Sequence, residues 1–381
     1  PPGLYHERLL YKQRWSNRLV VSSKRQIHFG SKREKELFLN HSKIIMTQTD
    51  SDYMKLCMNL ALKGLGTVAP NPMVGSVIVH NNKIIGQGYH ERYGEAHAEV
   101  NAINSVENES LLPQSTLYVN LEPCSHWGKT PPCADLIIRK QIKRVVIANK
   151  DPFPEVSGRG IKMMQNAGIE VVVGVLEKEG RDLNKRFFTF HEKHRPYIFL
   201  KWAQSSDGFI AQIDEKNNIS PIKISTQNTS LLVHEMRGQE MAILVGKNTI
   251  ITDNPRLTYR GNNSNYKNPI RIVLDPKEEL NKNNYNIFND EAPTIVLGQN
   301  NQTIEEILNV LYKKNISSLI VEGGKNTLQR FIDAGFWDEA RIETNPNLYI
   351  KNGISSPKLT NCILQKNVNI DDNTIKLYKK N

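Results

Sequence analysis

His97, Glu99, Cys124 and Cys133 bring an imidazole, a carboxylate and two thiols into a short stretch of this 381-residue chain. The stretch reads His97-Ala-Glu99, then a strand-like segment at 116–121, then Glu122-Pro-Cys124, and, after an insert, Pro131-Pro-Cys133. One histidine and two cysteines make a three-ligand zinc site with a fourth position open to water. Structural zinc sites are usually closed by four protein ligands, whereas catalytic sites keep that opening. Glu99 follows His97 by two residues at the start of a predicted helix, which sets a carboxylate beside the metal without making it a ligand. A bound metal lowers the pKa of water toward neutrality, and a neighbouring carboxylate can carry the proton.

These residues imply hydrolytic deamination. Activated water attacks an amidine-like ring carbon, Glu99 delivers a proton to the leaving nitrogen, and ammonia departs. The pairing of H-x-E with P-C follows the logic of zinc nucleobase deaminases, whose second element is usually P-C-x-x-C. Here eight residues, 125–132, separate Cys124 from Cys133, enough to form a loop beside the metal. His126 within that loop is either a substrate contact or an exposed loop residue, and is not assigned as a ligand.

The elements that must position these groups follow from the pattern. Asp52 is expected to cap a helix over 53–62, which Gly64 and Gly66 break. Pro70-Asn71-Pro72 makes a rigid turn into an apolar strand at 74–79. Asn71 there serves either to hydrogen-bond a substrate ring or simply as a turn residue. Asn81-Asn82 reads as a hairpin turn into a second strand at 83–89. Helices beginning at His97 and Cys133 alternate with strands at 116–121 and 144–149, then a helix near 159–167 and a strand at 170–173. Such alternation predicts a central sheet covered by helices. Both metal-ligand segments are expected at helix starts, where backbone N–H groups and the helix dipole favour thiolates at Cys124 and Cys133.

A basic, aromatic helix around 177–190 is expected to link two domains, with a new pattern starting at Arg195-Pro196. Strands are predicted at 197–203, 242–245, 269–275, 294–297 and 318–321, and helices at 226–237 and from Gly324 to about 334. The functional signals lie at strand ends, where open α/β sheets bind ligands. Gly323-Gly324, between a strand and a helix, is a phosphate cradle. Together with Gly246…Thr249, Lys201, Arg237 and Arg260 it suggests a site for a phosphorylated cofactor and a phosphorylated substrate. No G-x-G-x-x-G fingerprint is present, so a standard Rossmann site is not supported.

The length suggests two domains, and no stretch has the eighteen or more apolar residues that a membrane-spanning helix needs. Four cysteines, two of them candidate ligands, fit a reducing cytoplasm rather than a disulfide framework. The formal net charge is +11. Residues 1–45 hold ten Lys/Arg against three Glu, a net of +7, which leaves only +4 for the rest. The basic character therefore belongs mostly to the N-terminal segment and argues against a nucleic-acid partner. Met46 is expected to be the natural start, with 1–45 as upstream sequence outside the fold; a basic targeting arm is the alternative.

Over residues 50–380 the chain resembles the bifunctional riboflavin-biosynthesis deaminase/reductase family. The resemblance is carried by Asn71-Pro-Met-Val-Gly75, His97-Ala-Glu99, Glu122-Pro-Cys124-Ser-His126…Thr130-Pro-Pro-Cys133-Ala and Asp151-Pro…Gly158-Arg-Gly160. In the second half it is carried by Lys201…Ser206-Asp-Gly208, Gly246…Thr249, Asp253-Asn-Pro255 and Glu322-Gly-Gly324. The resemblance implies a cytidine-deaminase-like three-layer α/β/α domain at 46–190 and a dihydrofolate-reductase-like α/β domain at 191–381. It also implies zinc-dependent deamination of 2,5-diamino-6-ribosylamino-4(3H)-pyrimidinone 5′-phosphate, followed by NADPH-dependent reduction of the ribosyl group to ribityl. Ala203, Thr249, Asp253 and Gly324 would then face NADPH, and Arg237, Leu257, Arg260 and Glu322 the substrate. One departure stands out. Many members carry Ser-x-Trp where this chain reads Pro221-Ile-Lys223, which exchanges a stacking surface for a cation able to pair with phosphate.

The implied partner is a small phosphorylated pyrimidine, with no nucleic acid and no membrane; a homo-oligomer is compatible with it. Two other classes compete. A nucleic-acid-editing deaminase needs a basic, aromatic surface around its pocket, and a zinc-stabilised binding module has no use for Glu99 beside an open metal position. Within the enzyme reading, the variant to exclude is a chain with only one working half.

Overall fold

The computed structural model describes residues 48–125, 132–153, 156–299 and 303–381. The expectations for 1–45, Met46 and His126 lie outside the described residues.

The chain opens with helix α1 (Asp50–Ala61). Its cap is Thr49 rather than Asp52. Asp52 is the third helical residue of a capping box, its N–H donating to Thr49 Oγ1 at 3.3 Å while its carboxylate accepts from Thr49 N at 3.1 Å. The first-turn Asp50 also binds Arg144 through both carboxylate oxygens, so tertiary contacts pull the helix start forward. Strands β1 (Gly75–His80) and β2 (Lys83–Tyr89) form the expected hairpin, with Asn81 and Asn82 at φ 48° and 62°. Then come α2 (Ala98–Asn104), β3 (Thr116–Leu121), α3 (Cys133–Arg139), β4 (Arg144–Asn149), α4 (Arg159–Asn166) and β5 (Glu170–Val173).

These strands form one sheet in the order β2-β1-β3-β4-β5. β1 is antiparallel to β2 and β3, whereas β3, β4 and β5 are parallel. Alternate residues feed two cores. On one face Val77, Val79 and Val146 pack against Met54, Cys57 and Ala61 of α1. On the other, Ile78, Leu117, Val119 and Ile147 pack against α2, α3 and α4. The three layers follow from this period-two alternation, and each fully buried aliphatic side chain contributes about 1.5–3 kcal/mol.

The linking segment differs from a single helix. It forms α5 (Glu177–Leu183) and α6 (Lys185–Lys193), broken at Asn184. The Asn184 side chain is buried and turned to the backbone of Met73, accepting its N–H at 2.8 Å and donating to its carbonyl at 2.9 Å. That distant pairing overrides the local helical pattern.

The second half contains β6 (Tyr197–Ser205), β7 (Phe209–Ile213), β8 (Ile219–Ser220), α7 (Gln227–Gln239), β9 (Ala242–Gly246), α8 (Lys247–Asp253), β10 (Ile270–Leu274) and β11 (Thr294–Leu297). It continues with α9 (Ile304–Lys313), β12 (Ser318–Val321), α10 (Lys325–Asp333), β13 (Glu339–Asn345), β14 (Gly353–Ser355), β15 (Cys362–Ile370) and β16 (Asn373–Lys380). Eight strands form a sheet in the order β11-β10-β9-β12-β6-β13-β16-β15, and β14-β7-β8 form a small second sheet. The first six strands of the large sheet run parallel; β16 runs antiparallel to β13, and β15, antiparallel to β16, returns to the direction of the six. β9 and β12 are buried along nearly their whole length, which is why they read as continuous apolar runs. Helices α9 and α10 cover one face, and the other face packs against Ile250, Leu257 and Ile287. Gly246 ends β9 and caps α8, whose first turn holds Lys247 to Thr249.

Several contacts among the described residues join the halves. Arg186 of α6 forms a buried ion pair with Glu240 just after α7. Lys185 binds Glu339 at 2.7 Å. A side chain at Gly66 would strike the carbonyl of Gly238 at 2.6 Å, so the two backbones approach as only glycine permits.

Candidate active sites

His97 caps α2 and places Glu99 in the first turn, with the Glu99 carboxyl buried. Cys133 is the first residue of α3. Cys124 differs from expectation, because it lies in the loop after β3 and not at a helix start. It still receives a helix-start donor, the Cys133 N–H, at 3.3 Å. His97 Nδ1 lies 3.3 Å from Cys133 Sγ and 3.6 Å from Cys124 Sγ. One donor atom from each of the three falls within 4.8 Å of the others, the only such group of metal-binding side chains among the described residues. Two sulfurs and an imidazole converging on one point are the donor set that zinc prefers.

The charges in this cluster are interdependent. The hydrogen bond with Cys124 raises His97 to about 9. Cys124 is drawn down into the thiolate by the Cys133 S–H that it accepts, with His97 adding to the effect. Burial pushes Glu99 up to about 7, which suits a group that must both take and give a proton near neutrality.

His97, Glu99 and Cys124 open onto a cavity of about 400 Å³ that Asn71, His90, Asp151, Phe153 and His191 also line. Asn71 is held firmly. Asn120 and Asn184 both donate to the Met73 carbonyl, at 3.0 and 2.9 Å, which fixes the turn that carries it. Its amide meets His90 Nε2 at 3.2 Å, while His90 Nδ1 meets the Ala96 carbonyl at 3.0 Å. Burial depresses the pKa of His90, so the ring is neutral, donates from Nδ1 and accepts from Asn71. His90 had no signal in the sequence, since only the β1–β2 hairpin brings it to Asn71.

Glu122 has a role that its motif conceals. Its buried carboxylate accepts the N–H groups of Asp151 (3.2 Å), Gly158 (2.9 Å), Gly160 (3.1 Å) and Ile161 (3.3 Å). It thereby ties the Asp151 loop and the start of α4 to the cysteine segment. A side chain at Gly160 would meet the Pro123 carbonyl at 2.2 Å. Glu122→Ala is expected to orphan four buried donors, each worth about 1–3 kcal/mol when left unpaired. Thermal melting should show a large loss of stability, and ammonia release should fall. An unchanged melting curve would contradict this role.

A second cavity, of about 350 Å³, lies at the strand ends of the large sheet. It is lined by Ala203, Thr249, Asp253, Leu257, Gly324, Arg237 and Glu322, and also by Lys201 and Lys223. Arg260 is not among its lining residues. Its backbone N–H meets His234 Nδ1 at 3.3 Å, and its guanidinium meets Thr258 Oγ1 at 3.0 Å. Glu322 directs both oxygens to Arg237, at 3.1 and 2.8 Å, and lies 4.0 Å from Lys201. Burial opposes ionisation of Glu322, yet Arg237 and then Lys201 hold it down at about 2.

The glycine pair divides its labour. A side chain at Gly323 would crowd Thr327 at 3.0 Å and the Gly246 nitrogen at 3.2 Å, a requirement of the fold itself. At Gly324 it would touch only Thr249 Oγ1, at 3.6 Å, and would otherwise extend into free space. The Gly324 N–H donates to that hydroxyl at 3.0 Å. A helix start beside open space, with Lys201, Lys223 and Arg237 around it, suits a phosphorylated ligand.

Comparison with known proteins agrees with both halves. Residues 47–149 match the cytidine and deoxycytidylate deaminase zinc-binding region, and residues 196–349 match the RibD C-terminal domain. The riboflavin biosynthesis protein RibD of Aquifex aeolicus is 41% identical over 323 residues, covering 80% of this chain and 89% of that one. The Escherichia coli protein of the same name is 32% identical over 329 residues, covering 78% and 88%. A crystal structure from Thermotoga maritima, described as a diaminohydroxyphosphoribosylaminopyrimidine deaminase/5-amino-6-(5-phosphoribosylamino)uracil reductase, superposes with a TM-score of 0.78 at 35% identity, covering 87% of this chain and 99% of that one.

Fold and sites together define a two-domain enzyme, a zinc-binding deaminase followed by a reductase. Within that class, the chain belongs to the RibD family of riboflavin biosynthesis, whose members combine deamination with reduction.

Proposed function

We propose that this chain catalyses two consecutive steps on one small substrate. The first removes the 2-amino group of 2,5-diamino-6-ribosylamino-4(3H)-pyrimidinone 5′-phosphate. The second uses NADPH to reduce the ribosyl group of the product to ribityl. The observation that carries this reading is the convergence of His97, Cys124 and Cys133, with Glu99 beside them, on a cavity separate from a second, cation-lined one.

In the first cavity His97, Cys124 and Cys133 hold zinc, which when bound supplies a Lewis acid that acidifies water. Glu99 takes the proton from the attacking water and passes it to the amino nitrogen. The C–N bond breaks, ammonia leaves, and a carbonyl remains on the ring. Asn71, fixed through His90, orients the pyrimidine by hydrogen bonding. The aromatic wall of Phe153, Phe187 and His191 limits water around the ring.

In the second cavity Ala203, Thr249, Asp253 and Gly324 receive NADPH, and Arg237, Leu257, Arg260 and Glu322 face the phosphorylated sugar. Arg260 acts from the rim. Glu322 holds the Arg237 guanidinium in place through its paired bonds, and Lys201 and Arg237 supply positive charge. NADPH bound there would supply the hydride that reduces the ribosyl group to ribityl. No described helix is long and apolar enough to cross a membrane, and a cytoplasmic setting fits small, charged substrates and reduced thiols.

The test is stoichiometric. Purified protein given the diaminopyrimidine phosphate and NADPH should release ammonia and oxidise NADPH in equal amounts. Ammonia release without NADPH oxidation, even when the deaminated intermediate is supplied, would reduce the chain to a deaminase with an inactive second half.

A further inference from the structure

One wall of the second cavity is formed by residues 222–225, which belong to no helix or strand. Its shape is therefore set by side chains that reach it from elsewhere. The Ile224 carbonyl accepts two hydrogen bonds, from Asn345 Nδ2 at 3.2 Å and from Asn373 Nδ2 at 3.1 Å. Asn345 ends β13 and Asn373 begins β16. Asn373 is fully buried and also donates to Glu343 Oε1 at 2.6 Å, while Arg341 reaches the other Glu343 oxygen at 3.2 Å. Next to the wall, Thr226 caps α7, the helix that carries Arg237. Asp371, in the turn between β15 and β16, accepts from Thr226 Oγ1 at 2.5 Å and from Asn228 Nδ2 at 2.8 Å.

We propose that the β15–β16 hairpin is a positioning device for the reductase cavity: Asn373, with Asn345, fixes the Ile224 carbonyl, and Asp371 fixes the turn that follows, so that the wall bearing Lys223 is preset for the nicotinamide cofactor. This rests on the assignment of the second cavity to reduction. None of the three side chains lines the cavity; they are positioning residues. Asp371 and Asn373 also lie beyond the stretch that matches the reductase family, residues 196–349. A wall without regular structure that is released from these bonds must be ordered by the ligand, which weakens binding without changing the chemical step.

The test uses the full zinc-loaded chain, the deaminated intermediate and a titration of NADPH. Asp371 is exposed and sits at φ 51°. Asp371→Gly therefore removes the carboxylate without backbone strain or loss of core, and Asp371→Asn keeps an acceptor at a backbone position that asparagine tolerates. Asn345→Ala and Asn373→Ala remove one donor each from the Ile224 carbonyl.

The apparent KM for NADPH is expected to rise about two- to tenfold for each neutral bond removed, and at least as much when the bonds to the charged Asp371 carboxylate are lost. The kcat should stay near its original value, Asp371→Asn should recover most of the loss, and ammonia release should be unaffected throughout. An unshifted KM for NADPH in Asp371→Gly and Asn345→Ala overturns the proposal. So does a fall in kcat and melting temperature with no change in KM, because a merely structural hairpin behaves that way. If the unaltered chain fails to oxidise NADPH, the reductase assignment itself falls; normal oxidation with unshifted KM removes the positioning role alone.

Discussion

Glu99→Gln is expected to keep the zinc and stop the release of ammonia. The substitution preserves size and hydrogen-bonding shape in a site where the side chain is buried. It removes the group that carries the proton from water to the leaving nitrogen, and a positioned general acid–base contributes about a hundredfold to ten-thousandfold. Burial places the Glu99 carboxyl at about 7, so both of its forms are accessible where the enzyme works, and glutamine has neither. Zinc content by metal analysis and ammonia release are to be measured on the same sample. Normal deamination by a zinc-loaded Glu99→Gln protein would remove Glu99 from the mechanism. NADPH oxidation with the deaminated intermediate should be untouched in this variant.

The second large effect concerns the ligands. Cys133→Ser is expected to lose zinc and deamination together. A serine hydroxyl is a harder and far less acidic donor than a thiolate. Cys133 also does more than present a sulfur. It opens α3, and its N–H donates to Cys124 Sγ, so its backbone stabilises the other thiolate. Serine keeps that N–H, and the loss should therefore report the sulfur alone. Zinc retained at full occupancy in Cys133→Ser would show that the ligand set is wrong.

The deaminase centre was readable because its chemistry is carried by residue types that serve few other purposes in combination. His97, Glu99, Cys124 and Cys133 announce a metal and a proton carrier whatever surrounds them. Their supports are different. His90 acts by meeting the Asn71 side chain, 19 residues earlier, and Glu122 by accepting the amides of 151–161. Nothing in either residue's neighbours marks that role. Asn184 makes the same point at the level of secondary structure. The helical pattern over 177–190 is continuous, but the helix breaks at Asn184, where the side chain pairs with the backbone of Met73.

In the second half the buried parallel strands were legible as apolar runs, β9 and β12 among them. Helix α8 was not, because Lys247–Asp253 is short and rich in β-branched residues with weak helix preference. The β15–β16 hairpin gave almost no signal either. Half-exposed strands at a sheet edge carry polar residues on both faces, which blurs the alternation that identifies a strand. The glycine pair was legible as a cradle but not as two different requirements, one internal and one facing the cavity.

In the function proposed above, one chain holds two reactions in two separate cavities, only one of which needs metal. Zinc removal by a chelator, followed by parallel assays, tests it most directly. One assay supplies the diaminopyrimidine phosphate and follows ammonia; the other supplies the deaminated intermediate with NADPH and follows its oxidation. The predicted result is loss of ammonia release, unchanged NADPH oxidation, and recovery of ammonia release when zinc is returned. NADPH oxidation that disappears with zinc and returns with it, or ammonia release that persists in zinc-free protein, would contradict the account.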